Sequence, residues 1–449
     1  MKGTLAITFI AILCLSMFSA YAPKVNAQQS SADWPMFRAN PSHSGAGTGN
    51  PVLAPTLLWK SIIANSATGG LVDSSPAVVN GVVYIGSAVG AVPVEQSTSA
   101  SITAGAVYAL NATNGAKLWN YTTGGLGFES SPAVVGGIVY IGSDDGNVYA
   151  LNATNGAKLW NYPTSGGVFS SPAVVNGVVY IGSGDAKVYA LNAANGAYIW
   201  SYTTGGNVES SPAVVNGVVY VGSYDNNVYA LNATKGDKLW NYTTGSPVTS
   251  SPAVVNGVVY IGSNDHNVYA LNVTNGAKIW NYPTIDSVTS SPAVLNGVVY
   301  VGSYDNNVYA LNATNGIQLW NYTAGSIVSS SPAIVGGVVY VGSLNGNVYA
   351  LNATSGAKLW NYNNGFDESS PAVVNGVVYV GGGNNVIALR TSHASPSTKS
   401  FNTLSIVIGG IVAVVIVATV VFLMFRKRLK TKMTNPPPTP QNSGSVSIV

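Results

Sequence analysis

Short apolar runs alternate with polar turns along most of this chain, and the same order of runs keeps returning. In the stretch from Ser250 to Tyr282, "SPAVV" meets "VVYIGS" across Asn256-Gly257, a dipeptide whose easy positive φ predicts a two-residue type I′ hairpin. After the polar turn "NDHN", "VYALNV" predicts a third strand, and a "TNG" turn leads to "AKIWNY" as the fourth. Runs such as "VVYIG" are apolar on both alternations, as a sheet covered on both faces requires.

The repeat decides the architecture. "SSPAVV" or a close variant places Pro76, Pro132, Pro172, Pro212, Pro252, Pro292, Pro332 and Pro371 at a period of 40 residues, lengthened to 56 once and shortened to 39 once. Trp59, Trp119, Trp160, Trp200, Trp240, Trp280, Trp320 and Trp360 follow the same clock, and only Trp34 is left over. Four antiparallel strands per repeat, with both faces needing cover, predict an all-β, eight-bladed β-propeller. A linear stack would expose apolar faces at its ends. The last unit runs through "NNVIALR" (Asn384 to Arg390) without a Trp strand, while "LLWKSII" (Leu57 to Ile63) supplies one before the first "SSPAVV". Together they predict an eighth blade closed by both ends of a propeller over 57–390.

Outside the repeats, Lys2, the apolar run Leu5 to Ala20 and the small residues of "VNA" predict a signal peptide at 1–27, followed by a lead-in at 28–56. "LSIVIGGIVAVVIVATVVFLMF", residues 404–425, has 22 residues and no charge, enough to cross a hydrocarbon core of about 30 Å. It predicts a transmembrane helix between a stalk at 391–403 and a basic, Pro-rich tail at 426–449. The flank "RKRLKTK" keeps the C terminus cytoplasmic and the propeller extracytoplasmic.

Charge changes the picture only once the chain is divided. The net charge is +3, yet between Asp33 and Arg390 ten Lys and Arg face all 15 acids. The outer part is therefore mildly acidic, which argues against a nucleic-acid partner. Cys14, inside the signal segment, is the only cysteine, so the mature protein has no disulfide and no Cys-based metal site.

The motif "ALNATNGAKLW" (Ala109 to Trp119) returns unchanged at Ala150 to Trp160 and with small changes five more times. At Ala109, Gly115 and Trp119 it resembles the signature of the pyrroloquinoline-quinone-like (PQQ-like) repeat family, with Asn111 in place of the family's Asp. "DWPMFRANPSHSG" (Asp33 to Gly45) is similar to the segment that introduces such propellers, and the resemblance covers about 360 residues. It implies that the eight tryptophans are blade-docking residues. It also implies two kinds of function: quinone- and Ca²⁺-dependent dehydrogenases, and non-enzymatic propellers such as the outer-membrane assembly lipoprotein. Dehydrogenases of the family commonly carry an adjacent cysteine pair against the cofactor, and this chain has no mature cysteine; Arg, needed to face the quinone's carboxylates, is nearly absent from the repeats, with Arg38 before the ring and Arg390 at its end. A non-enzymatic, membrane-anchored member with no cofactor is expected, and a PQQ and Ca²⁺ enzyme or an envelope assembly factor remain the alternatives.

Positions where the copies differ carry the candidate chemistry. Three residues before the strand-opening proline the units read Asp73, Glu129, Phe169, Glu209, Thr249, Thr289, Ser329 and Glu368. Asp73, Glu129 and Glu368 fall on consecutive blades of a closed ring, with Asp367 beside them. They form a candidate arc for a hard cation or a basic partner, against the alternative of solvated rim charges. The first unit carries an insertion, Ala88 to Gly105, expected on the same face, with Glu95 near the arc. Asp145, Asp185, Asp225, Asp265 and Asp305 are read as turn-stabilising residues, and His43, His266 and His393 are too scattered for a zinc site. Asn111, Asn120, Asn152, Asn232, Asn241, Asn272, Asn312, Asn321 and Asn352 begin N-x-T sequons and are candidate glycan acceptors. The expected protein is a monomeric ring on a single-pass anchor, with an extracellular or envelope protein or glycan as partner. Its sequons and lack of mature cysteine suit an archaeal cell surface, with a bacterial origin also open.

Overall fold

The computed structural model describes residues 33–64, 71–88, 105–123, 127–365 and 368–391. These residues form 32 strands, numbered β1 to β32 in chain order, in eight four-stranded antiparallel sheets. In the first blade β2 (Ala77–Val79), β3 (Val82–Ser87), β4 (Ala106–Asn111) and β5 (Lys117–Thr122) pair in that order. The short first strands of neighbouring blades lie side by side around the axis. Asn256 and Gly257 have φ of 50° and 80°, the two positive values a type I′ turn demands.

The eighth sheet is shared by both ends of the ring. Its order is β1 (Pro55–Ile62), β32 (Asn385–Thr391), β31 (Val377–Gly382) and β30 (Ala372–Val374). Trp59 pairs with Ala388 across that seam, as Trp119 pairs with Ala109 within the first blade.

Each motif tryptophan is a joint between blades. The Trp119 indole N–H donates to the Ala153 carbonyl of the next blade at 2.9 Å, and the Tyr84 hydroxyl reaches the same oxygen. The indole lies so close over the next motif glycine that a Cβ on Gly156 would stand 2.6 Å from Trp119, at a φ of +72°. Glycine is therefore needed twice over, for contact and for backbone conformation. The same indole-to-carbonyl bond runs from Trp59 to Ala112, and from Trp360 to Val52 of the lead-in.

The repeated "SSP" welds the ring from inside. The backbone N–H of Ser75 donates to Ser131 Oγ, that of Ser131 to Ser171 Oγ, and so on until Ser370 donates to Ser75 Oγ. All eight bonds measure 2.9–3.0 Å, so the seam closes as tightly as any other blade boundary.

The lead-in is part of the ring. Its carbonyls at Trp34, Pro35, Pro41, Ser42, Ser44 and Gly45 accept the N–H groups of Val78, Val134, Val214, Val254, Val294 and Ile334, all in first strands. The segment thus runs as a strap across the axis, beneath the serine ring. Arg38, expected before the ring, is buried inside it and donates to the Pro292 and Pro332 carbonyls. Burial pushes its pKa down to about 9. His43 is also buried, and burial, then the charge of Arg38, hold it neutral with a pKa near 3 despite a bond to the Pro252 carbonyl.

The expected signal peptide, residues 89–104 of the insertion with Glu95, Asp367, His393 and the transmembrane helix at 404–425 lie outside the described residues. The chain divides into 1–392 and 393–449, and the second unit lies wholly outside them. Among the described residues no helix is long and apolar enough to cross a membrane.

Candidate functional site

Above the strap the described residues leave a mouth open. There a cavity of about 460 Å³ is bounded below by Phe37 of the strap and by the ring serines. All eight variable residues preceding the first strands line its wall, so the positions where the copies differ meet in one cup.

Asp73, Glu129 and Glu368 come together on one side of it. Burial, then the charges of Glu368 and Asp144, push Asp73 up to about 6. Desolvation by the wall, then Asp144, Asp73, Glu209 and Glu368, push Glu129 up to about 7. Burial raises Glu368 as well. Crowded carboxylates in a partly dry cup resist ionising together, so this wall favours an incoming positive charge.

Sequence reasoning missed Asp144. Its carboxyl is raised by burial and by Asp145, against a bond from the Glu129 N–H, and its Oδ1 is buried without a hydrogen-bond partner. The signal was present in a second variable column, the first residue of the turn after the second strand. That column reads Asp144, Gly184, Tyr224, Asn264, Tyr304 and Leu344. Asp144 stands behind the lining, whereas Tyr224, Asn264 and Tyr304 line the cup, and the Tyr224 hydroxyl donates to Glu209 at 2.8 Å. Phe169, Tyr224 and Tyr304 make the remaining wall partly aromatic. The described ends of the insertion bracket the acidic side: Ala88 bridges to Leu71 and Gly127, each two residues before an acid of the arc.

The turn aspartates stay out of the cup. Asp225 accepts the Tyr229 hydroxyl, the Asn227 N–H and the Gly205 N–H of the preceding blade, which ties turn and blade boundary together. Among the motif sequons, the Asn111, Asn152, Asn232, Asn272, Asn312 and Asn352 Oδ1 atoms each accept the N–H two residues on. Asn241 and Asn321 spend their amide nitrogens on Asn227 and Asn307. Asn120 lacks that partner, because Ala106 stands at the corresponding position.

A family model described as outer membrane protein assembly factor BamB matches residues 54–169, 163–287 and 245–422. The chain belongs to this PQQ-like propeller repeat family. Among solved structures it is similar to BamB from Moraxella catarrhalis, at 20% identity and a TM-score of 0.61 over 76% of this chain and 98% of that one. It is also similar to the quinohemoprotein alcohol dehydrogenase from Comamonas testosteroni, at 16% identity and a TM-score of 0.67 over 84% and 83%. The computationally designed Ika8 protein matches at 16% identity and a TM-score of 0.63. At such identities the likeness shows the fold alone. No curated protein matches the sequence.

One of these structures is a quinohemoprotein, and the cup can be tested against a quinone cofactor. The quinone is a tricarboxylate and needs cations around it. Among the described residues no Lys or Arg lines this cup, and Arg38 spends its guanidinium on carbonyls of the strap side. The donor set does not fit the anionic quinone. Among the described residues no group of three or more His, Cys, Asp or Glu is gathered closely enough to hold a metal ion.

Proposed function

We propose that this protein is a membrane-anchored, extracytoplasmic propeller that serves as a binding or cell-envelope scaffold, with the cup as its receptor face for a positively charged group. The observation that carries the reading is the one-sided acidic wall of a cup closed below: the diverged positions of eight otherwise similar blades converge there. Asp73, Glu129 and Glu368 are its receptor residues, for a basic partner or a hard cation. The uncharged stretch at 404–425 with its basic flank supports the anchor, and the BamB-type family match supports an envelope setting.

Two measurements on the full-length protein in its native membrane test this. A photo-cross-linking residue in place of Phe169, in the cup, should give discrete adducts that vanish with Asp73→Asn and Glu129→Gln. The same residue in place of the exposed rim Leu239 should give none. Adducts from the rim alone would overturn the assignment. A membrane-impermeant amine label on intact cells should modify exposed Lys238 and Lys278 but reach Lys430 and Lys432 only after permeabilisation. The reverse pattern would overturn the orientation.

A further inference from the structure

We propose that the cup binds a small hydroxylated organic ammonium, of the amino-sugar class. This rests on the reading of the cup as the receptor face and names what it receives. The acidic arc alone would suit any cation, so the choice depends on what surrounds it.

A bare metal ion is the poorer match. It needs several oxygens drawn to one point, and the described acids are not gathered that way. An ammonium, with three outward N–H donors, serves carboxylates spread along an arc.

The ring serines supply the second, independent observation. Ser75, Ser131 and Ser370 lie two residues beyond Asp73, Glu129 and Glu368, line the cup, and are only 8%, 5% and 8% exposed. The Oγ atoms of Ser75, Ser131 and Ser370 already accept the N–H groups of Ser370, Ser75 and Ser331, and their protons have no acceptor among the described residues. These are buried donors facing the cavity. An ammonium has no lone pair to receive them, whereas the hydroxyl oxygens of a sugar can accept them. Phe37 below and Phe169 at the side offer flat apolar faces of the kind that pack against a pyranose ring. A volume of about 460 Å³ is at the lower end of ligand pockets and fits roughly one or two such rings.

The titratable groups lining the cup are Asp73, Glu129, Glu209, Glu368, Tyr224 and Tyr304, with Asp144 behind them acting on Asp73 and Glu129 through its charge. Because the arc holds protons up to about pH 6–7, affinity for an ammonium rises as pH passes through that range.

Calorimetric titration of the full-length protein in nanodiscs with glucosamine, glucose, spermidine and calcium chloride separates these features. Glucosamine should bind, with glucose and spermidine each weaker by about tenfold or more. Glu129→Gln, at an exposed side chain, and Asp73→Asn should each weaken glucosamine by a similar factor. Calcium binding more tightly than glucosamine, or glucosamine binding unchanged in both variants, would overturn the proposal. If glucosamine does not bind while cross-linking from the cup persists, the ligand class fails and the receptor face stands. Loss of both signals sinks both.

Discussion

At the scale of single residues, the glycine of "ALNATNGAKLW" is the most constrained position of the joint. On Gly316 a Cβ would lie 2.8 Å from the Trp280 ring at a φ of +72°, so neither contact nor backbone tolerates a side chain. Gly316→Ala should lower the melting temperature, at a cost of roughly 1–3 kcal/mol, whereas Gly257→Ala meets open space and pays only the conformational term. Differential scanning calorimetry of the pair checks this. The acids behave in the opposite sense to most paired carboxylates. Asp73 and Glu129 bind protons more tightly folded than unfolded, since their folded values of about 6 and 7 exceed the usual carboxylate range. Their contribution to stability is complete below about pH 4 and is lost as pH rises through 6 to 7. Asp73→Asn with Glu129→Gln should therefore melt higher than wild type at pH 8 and close to it at pH 4. A variant that is destabilised at pH 8 would contradict that electrostatic account.

At the scale of elements, blades were legible because every structural duty is tied to a fixed column of the repeat. Asn256-Gly257 announced its hairpin, the Trp column its joints, and the missing Trp strand after Arg390 its partner at Trp59. The column before the strand-opening proline also contributes eight of the residues that line the cup. The strap was not legible. Its bonds use backbone carbonyls of Pro35, Pro41 and Ser42, which leave no side-chain pattern, and Arg38 stands before the first repeat in sequence. Asp144 was not legible because its column carries no repeated acid, unlike that of its neighbour Asp145. The strap makes a direct prediction: deleting residues 33–47 should expose the Val214, Val254, Val294 and Ile334 amides. Hydrogen exchange there should speed up while the second-strand amides of the same blades stay protected. The glycan proposal also belongs at this scale. If the protein is glycosylated, the amide nitrogens of Asn241 and Asn321 are spent on neighbouring strands, whereas that of Asn120 is not. Glycopeptide mapping should find Asn120 modified ahead of those two, and the reverse order would contradict the hydrogen-bond account.

At the scale of the whole molecule, closure and function are linked. Ser370 reaches Ser75 only because β1 completes the eighth sheet, and the same closure brings Glu368 beside Asp73 and Glu129. Trp59→Ala should cost about 3–5 kcal/mol and should also disperse the acidic arc, so cup binding falls along with stability. Trp240→Ala, between the fourth and fifth blades, should lower stability comparably while the arc keeps its shape at physiological temperature. The central claim is that a cation settles among carboxylates that hold protons in its absence. The most direct test is calorimetry of glucosamine binding to the full-length protein near pH 6.5, repeated in buffers of different ionisation enthalpy. The account predicts proton release on binding, reduced in Glu129→Gln; binding with no proton release, or release unchanged by that substitution, would contradict it.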